Sequence, residues 1–146
     1  MQVHQFTAVS LGPMARTRTV LGLVAGAFLL LSAAAHSLLG WNQLQGELAK
    51  ANVPADLAFG LKVGWQFGGV AMVVLGVIVL HLFLRRLRGE DVSTLPGLVI
   101  AVAYLTFGGW ALAASEMEPF FFVFVVPGVL LLIASWHGTG TSTRSS

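Results

Sequence analysis

Four long apolar runs divide this chain, and its charged side chains fall between them or at their ends. The runs cover about 20–39, 61–84, 95–114 and 119–136. A helix needs roughly 20 apolar residues to cross a hydrocarbon core about 30 Å thick, and each run lies within the range that tilt permits. Apolar residues make up 56% of the chain and charged residues 10%. An ordinary soluble domain carries about 25% charged residues. A chain so poor in charge lacks the polar surface to cover itself in water. The expected fold class is therefore an all-α membrane protein, a four-transmembrane-helix antiparallel bundle spanning residues 20–137. Residues 1–19 read as a cytoplasmic tail and the Gly/Ser/Thr-rich residues 138–146 as a disordered one.

The basic residues orient the bundle. With the N-terminus inside, Arg16, Arg18, Arg85, Arg86, Arg88 and Arg144 are cytoplasmic, and only Lys50 and Lys62 are outside. Lys and Arg accumulate on the cytoplasmic side of membrane proteins, so both termini are expected there. The location this implies is a membrane that borders the cytoplasm. The first run admits a second reading. Arg16 and Arg18, an apolar stretch and Ala33-Ala34-Ala35 resemble a secretory signal with its cleavage site. The spanning reading is preferred because the apolar run continues through Leu38 and Leu39.

Between the first two runs, Leu44 and Leu48 lie four apart, the spacing of a short helix lying on the membrane surface, with Trp41 as its interfacial anchor. Pro54 and Asp56 open the next helix, and Ser93 or Thr94 with Pro96 open the third. The short acidic connection Ser115 to Glu118 predicts a hairpin of the last two helices. Pro127-Gly128 is expected to kink the last one. Lipid offers no hydrophobic drive between helices, so small residues mark close packing. Gly22, Gly26, Ala33, Ser37 and Gly40 form such a stripe on the first helix. Gly60, Gly64, Gly68 and Gly76 do so on the second, and Gly97, Ala101, Gly108 and Gly109 on the third. The stripes serve bundle packing, or one of them, Gly60-Gly64-Gly68, docks another protein.

Polar side chains inside spans are costly and point to function. His36, Trp65, Gln66, Trp110 and Glu116 fall at one depth near the outer edge. Turned inward, they would line a site for a lipid or quinone, with His36 bonding the head group and the tryptophans as walls. The plain alternative is that His36 and Gln66 hydrogen-bond across helices. His81 and His137 share the inner edge and could ligate a haem as axial ligands, or could be ordinary interfacial residues. The cofactor is unknown. No catalytic residue is assigned: nucleophile elbow, phosphate loop, zinc motif and midplane carboxylate are all missing from the sequence, and there is no cysteine. The expected partners are the bilayer, a hydrophobic small molecule, and a second copy or a membrane-complex subunit. Nucleic acid is not among them, because no basic patch is interleaved with aromatics.

Three segments carry a family resemblance: Ala-Ala-His36-Ser-Leu-Leu late in the first helix, Trp65-Gln66-Phe67-Gly68-Gly69 early in the second, and Phe-Val-Val-Pro127-Gly128 in the last. With the long polar first loop, they resemble the DoxX-like group of small bacterial four-span proteins. The resemblance implies a four-helix bundle and an accessory role beside respiratory or sulfur redox partners. Thiol chemistry does not carry over, because this chain has no cysteine. A small membrane redox subunit using its histidines and a structural subunit of a larger complex are the rival roles.

Overall fold

The computed structural model describes residues 12–136, and within them the chain is all helical. Residues 1–11 of the expected tail 1–19, His137 and the expected tail 138–146, which contains Arg144, lie outside the described residues. Helix α1 (Pro13–Ala35) passes through a π-helical turn (His36–Gly40) into α2 (Trp41–Lys50) without a break. Helices α3 (Ala55–Leu87), α4 (Leu95–Ala114) and α5 (Phe122–Ser135) follow, α5 entered by a 3-10 turn (Pro119–Phe121). Three of the resulting rods, Pro13–Lys50, Ala55–Leu87 and Leu95–Ala114, are long and apolar enough to cross a membrane. The last, Pro119–Ser135, is apolar but shorter.

The connections explain the helix ends. Ala51 closes α2, and Asn52 follows with φ 51°, a left-handed conformation that Asn tolerates. The Val53 amide then reaches back to the Leu48 carbonyl and the Asn52 amide to that of Ala49, so the last carbonyls are satisfied. The same pattern ends α3. Gly89 takes φ 81°, and Glu90 and Gly89 donate to the carbonyls of Arg85 and Arg86. Helix α3 opens behind Pro54 with Asp56 in its first turn, where a carboxylate complements the helix dipole.

Helix α1 packs along α3 and α5, and α4 packs along α5, whereas α3 and α4 scarcely touch. The hairpin expected of the last two helices is thus present. Ala25, Leu29, Val79, Phe83, Ala101 and Leu131 belong to one buried cluster drawn from all four long helices. The α1–α3 seam interleaves a small residue with a large one at each level: Gly22 lies under Phe83, Gly26 under Leu80, Gly76 under Leu30, and Gly40 under Trp65. A methyl group on Gly76 would sit 2.8 Å from the Leu30 side chain. The α4–α5 seam works alike, with Gly108 against Phe124 and Val125 and Gly128 against Leu105.

At one end of the bundle the helix termini are tied together. Arg18 donates to the Trp136 carbonyl at 2.9 Å, and the buried Thr94 hydroxyl donates to the Ser135 carbonyl at 3.0 Å. These two bonds satisfy carbonyls that α5 leaves open at its C-terminus. Thr94 occupies the N-cap position of α4, but its hydroxyl serves α5 and does not cap its own helix. Arg16, Arg18, Arg85, Arg86 and Arg88 gather at this end by connectivity, and Lys50, Asp56, Glu116 and Glu118 lie at the other.

Three expectations need revision. The polar segment after Gly40 is a direct extension of the first helix, because the π turn absorbs the glycine instead of ending the helix. At about 1.5 Å per residue the rod Pro13–Lys50 reaches roughly 57 Å, so α2 and the start of α3 project beyond α4 and α5. Helix α1 also begins at Pro13, well before Val20, since Pro is pre-organised for a first helical turn. Finally, the small face of α3 that meets α1 carries Gly68, Gly69 and Gly76, with His36 beside Gly68 and Ser37 beside Gly69. Gly60 and Gly64 face open space. Gly69 is one residue on from Gly68, a rotation of about 100° on a helix of 3.6 residues per turn.

Candidate functional site

The π turn inserts an extra residue into α1 at the level where α1 faces Trp65 and Gln66 of α3. Such insertions displace carbonyls from their usual i+4 partners and recur at functional positions. Here those carbonyls face α3. The Trp65 indole Nε1–H donates to the His36 carbonyl at 2.8 Å, and the Gln66 amide donates to the Ser37 carbonyl at 3.2 Å. In return His36 Nε2 lies 3.0 Å from the Trp65 carbonyl. A carbonyl only accepts, so Nε2 carries the proton. The two rings stack with centroids 4.3 Å apart and planes 6° from parallel. Gly69 permits this approach, since a side chain there would collide with the Ser37 hydroxyl. The result is a polar clamp in which side chains of each helix bond the backbone of the other.

The structure brings His36, Trp65 and Gln66 together and does not bring Trp110 or Glu116 to them. Helix α4 packs on α5, and its backbone stays clear of α1 and the π turn. Trp110 is 64% exposed and lies beside Phe107. Glu116 is exposed and left-handed, at φ 55°, in the turn that closes α4. Residues at equal depth on a bundle still differ in the direction they face, and depth was all the sequence supplied. Trp41, read as an interfacial anchor, is buried, with the Lys62 ammonium 5.9 Å from its ring centre. That is within the distance at which a cation is drawn to an indole face.

A second place has the geometry of a binding site. Because α3 and α4 diverge from their connecting turn, a crevice of about 560 Å³ opens between them at the basic end. Val77, Ile78 and Leu82 line it on its apolar side, and His81, Arg85 and Asp91 are its polar lining. His81 therefore faces this crevice, while its expected partner His137 lies outside the described residues. Arg85 donates from Nε to Glu90 at 2.6 Å, which holds the guanidinium at the crevice. The sequence reading missed Arg85 as a site residue because it counted the arginine only as an orientation signal. The signal that could have found it is the spacing of Val77 or Ile78, His81 and Arg85, which places them on one face of α3.

Among the described residues no three His, Asp or Glu side chains gather as a metal site. Compared with protein-family models, curated proteins and solved structures, the chain matches none of them.

Proposed function

We propose that this chain is a four-span protein of a bacterial inner membrane, with both termini in the cytoplasm, that holds a lipid-like small molecule and carries out no reaction of its own. The observation that carries the membrane reading is the outer surface. Leu31, Val70, Val74, Val102, Val129 and Ile133, from all four long helices, point away from the core and are exposed. Soluble monomers rarely expose apolar patches beyond a few hundred Å². A surface apolar on every side, with charges confined to the two ends, suits lipid. Helices also satisfy their own backbone groups, as a bilayer interior demands. The fourth crossing is assigned to the short rod Pro119–Ser135, lengthened by the aromatic residues at its start.

An accessory, ligand-holding role is supported by how the polar groups are used. The His36 clamp engages its donors with backbone carbonyls, as a structural fastening does. The crevice beside α3 is lined by apolar and by polar side chains, the make-up of a site for an amphiphile. Kinship with the DoxX-like group belongs to the same proposal. It is supported by the meeting of two of the shared segments, around His36-Ser37 and Trp65-Gln66, across the α1–α3 seam.

Alkaline carbonate extraction of membranes containing the full chain tests the reading. The chain is expected to stay with the bilayer pellet and to carry stoichiometric lipid after purification. Release into the supernatant would overturn it.

A further inference from the structure

We propose that the crevice between α3 and α4 binds one anionic phospholipid, with its phosphate at Arg85 and an acyl chain lying along Val77 and Ile78. The proposal rests on the membrane reading above and deepens it. Four residues on one side of α3 make the case. Val77 and Ile78 lie farthest from the arginine-rich end, His81 follows one turn later, and Arg85 one turn after that. The crevice is thus graded along the helix axis from apolar to cationic, as an amphiphile is graded from tail to head. Its volume of about 560 Å³ accommodates a head group with the first part of a chain.

Charge selects the head group. Arg85 is the one arginine among the lining residues, and Arg86 and Arg88 follow it at the same end of the helix, outside the crevice. Arg85 gives only Nε to Glu90, and its side chain is 44% exposed. The guanidinium has four further N–H donors in a fork that fits two phosphate oxygens. Glu90 therefore aims the group without consuming it. Asp91 also lines the crevice and opposes an anion there, so the phosphate is placed at the Arg85 fork. Basic pockets between helices on the cytoplasmic side are a recognised setting for anionic lipid head groups, and this crevice opens at the end that gathers the arginines.

The test is native mass spectrometry of the full chain in micelles, loaded with phosphatidylglycerol or with phosphatidylcholine of matched acyl chains. The chain should retain one phosphatidylglycerol with about tenfold preference over phosphatidylcholine, whose choline cation offsets its phosphate and is repelled by the arginine-rich end, a difference of about 1.4 kcal/mol. Arg85→Gln should remove the preference. Arg88→Gln, outside the crevice, should keep it. Ile78→Trp fills the crevice without changing charge and should abolish retention of both lipids, which guards against misfolding of the arginine variant. Equal retention of the two lipids, a preference that survives Arg85→Gln, or undiminished retention by Ile78→Trp overturns the proposal. Carbonate extraction of the same membranes separates the two failures. A chain left in the pellet without lipid preference sinks only this site, and a chain released to the supernatant sinks the membrane reading with it.

Discussion

The imidazole of His36 and the indole of Trp65 lie face to face at 4.3 Å, and each ring donates its N–H to the backbone carbonyl of the other residue. Neither bond depends on the partner's side chain, which makes the pair separable by mutation. Trp65→Phe keeps an aromatic face and loses one bond. It should destabilise the protein by about 0.5–1.5 kcal/mol. In a double-mutant cycle of Trp65→Leu with His36→Leu, each change removes one ring, and the coupling should report the stacking alone, about 0.5–1.5 kcal/mol. Unfolding in detergent micelles measures both. Zero coupling would mean that the rings are neighbours without interaction.

The interleaved seam of α1 and α3 separates glycines that look equivalent in sequence. Gly76→Leu should destabilise the chain by at least about 1–3 kcal/mol, because Leu30 already occupies the space. Gly60→Leu and Gly64→Leu should leave stability within about 0.5 kcal/mol, because open space surrounds both. Equal losses at Gly64 and Gly76 would show that the other face of α3 is also tightly packed.

How much of this was legible beforehand follows from what each signal measures. Hydropathy and helix-start chemistry act locally. They placed α4 at 95–114 and the opening of α3 at Pro54 and Asp56, both of which the structure bears out. Small-residue spacing located the seam on α1, where Gly22, Gly26, Ala33 and Ser37 or their neighbours meet α3. On α3 the signal was degenerate, because adjacent Gly68 and Gly69 both meet α1 whereas Gly60 and Gly64 face open space. Polarity misread α2, since a helix that leaves the apolar core turns polar whether it bends along the surface or continues straight. The candidate site fared likewise. His36, Trp65 and Gln66 meet because α1 pairs with α3. Trp110 and Glu116 stay away because α4 pairs with α5, a choice of neighbour that depth along a helix does not encode.

The tie at the basic end is also testable. Thr94→Val removes the buried hydroxyl that serves the Ser135 carbonyl. It should cost about 1–3 kcal/mol by leaving that acceptor unpaired. Arg18→Gln loses the bond to the Trp136 carbonyl in an exposed setting and should cost less. A larger loss for Arg18→Gln than for Thr94→Val in thermal unfolding would contradict this ordering.

Glu116 occupies a left-handed position at the end of α4, with φ 55°. Glycine adopts that conformation without the steric cost borne by other residues. Glu116→Gly should therefore stabilise the protein by up to about 1 kcal/mol. A loss of stability instead would assign the carboxylate a contact that outweighs its backbone strain.

The central claim is that this chain crosses the membrane four times with its arginine-rich end in the cytoplasm. The absence of cysteine makes that directly measurable, because each introduced thiol is then the only one. Gly46→Cys on α2, Arg88→Cys in the α3–α4 turn and Glu118→Cys before α5 each place a thiol at an exposed position. In intact spheroplasts a membrane-impermeant maleimide should label Gly46→Cys and Glu118→Cys, and should reach Arg88→Cys only after permeabilisation. Labelling of Arg88→Cys before permeabilisation, or protection of Gly46→Cys and Glu118→Cys, would contradict the account.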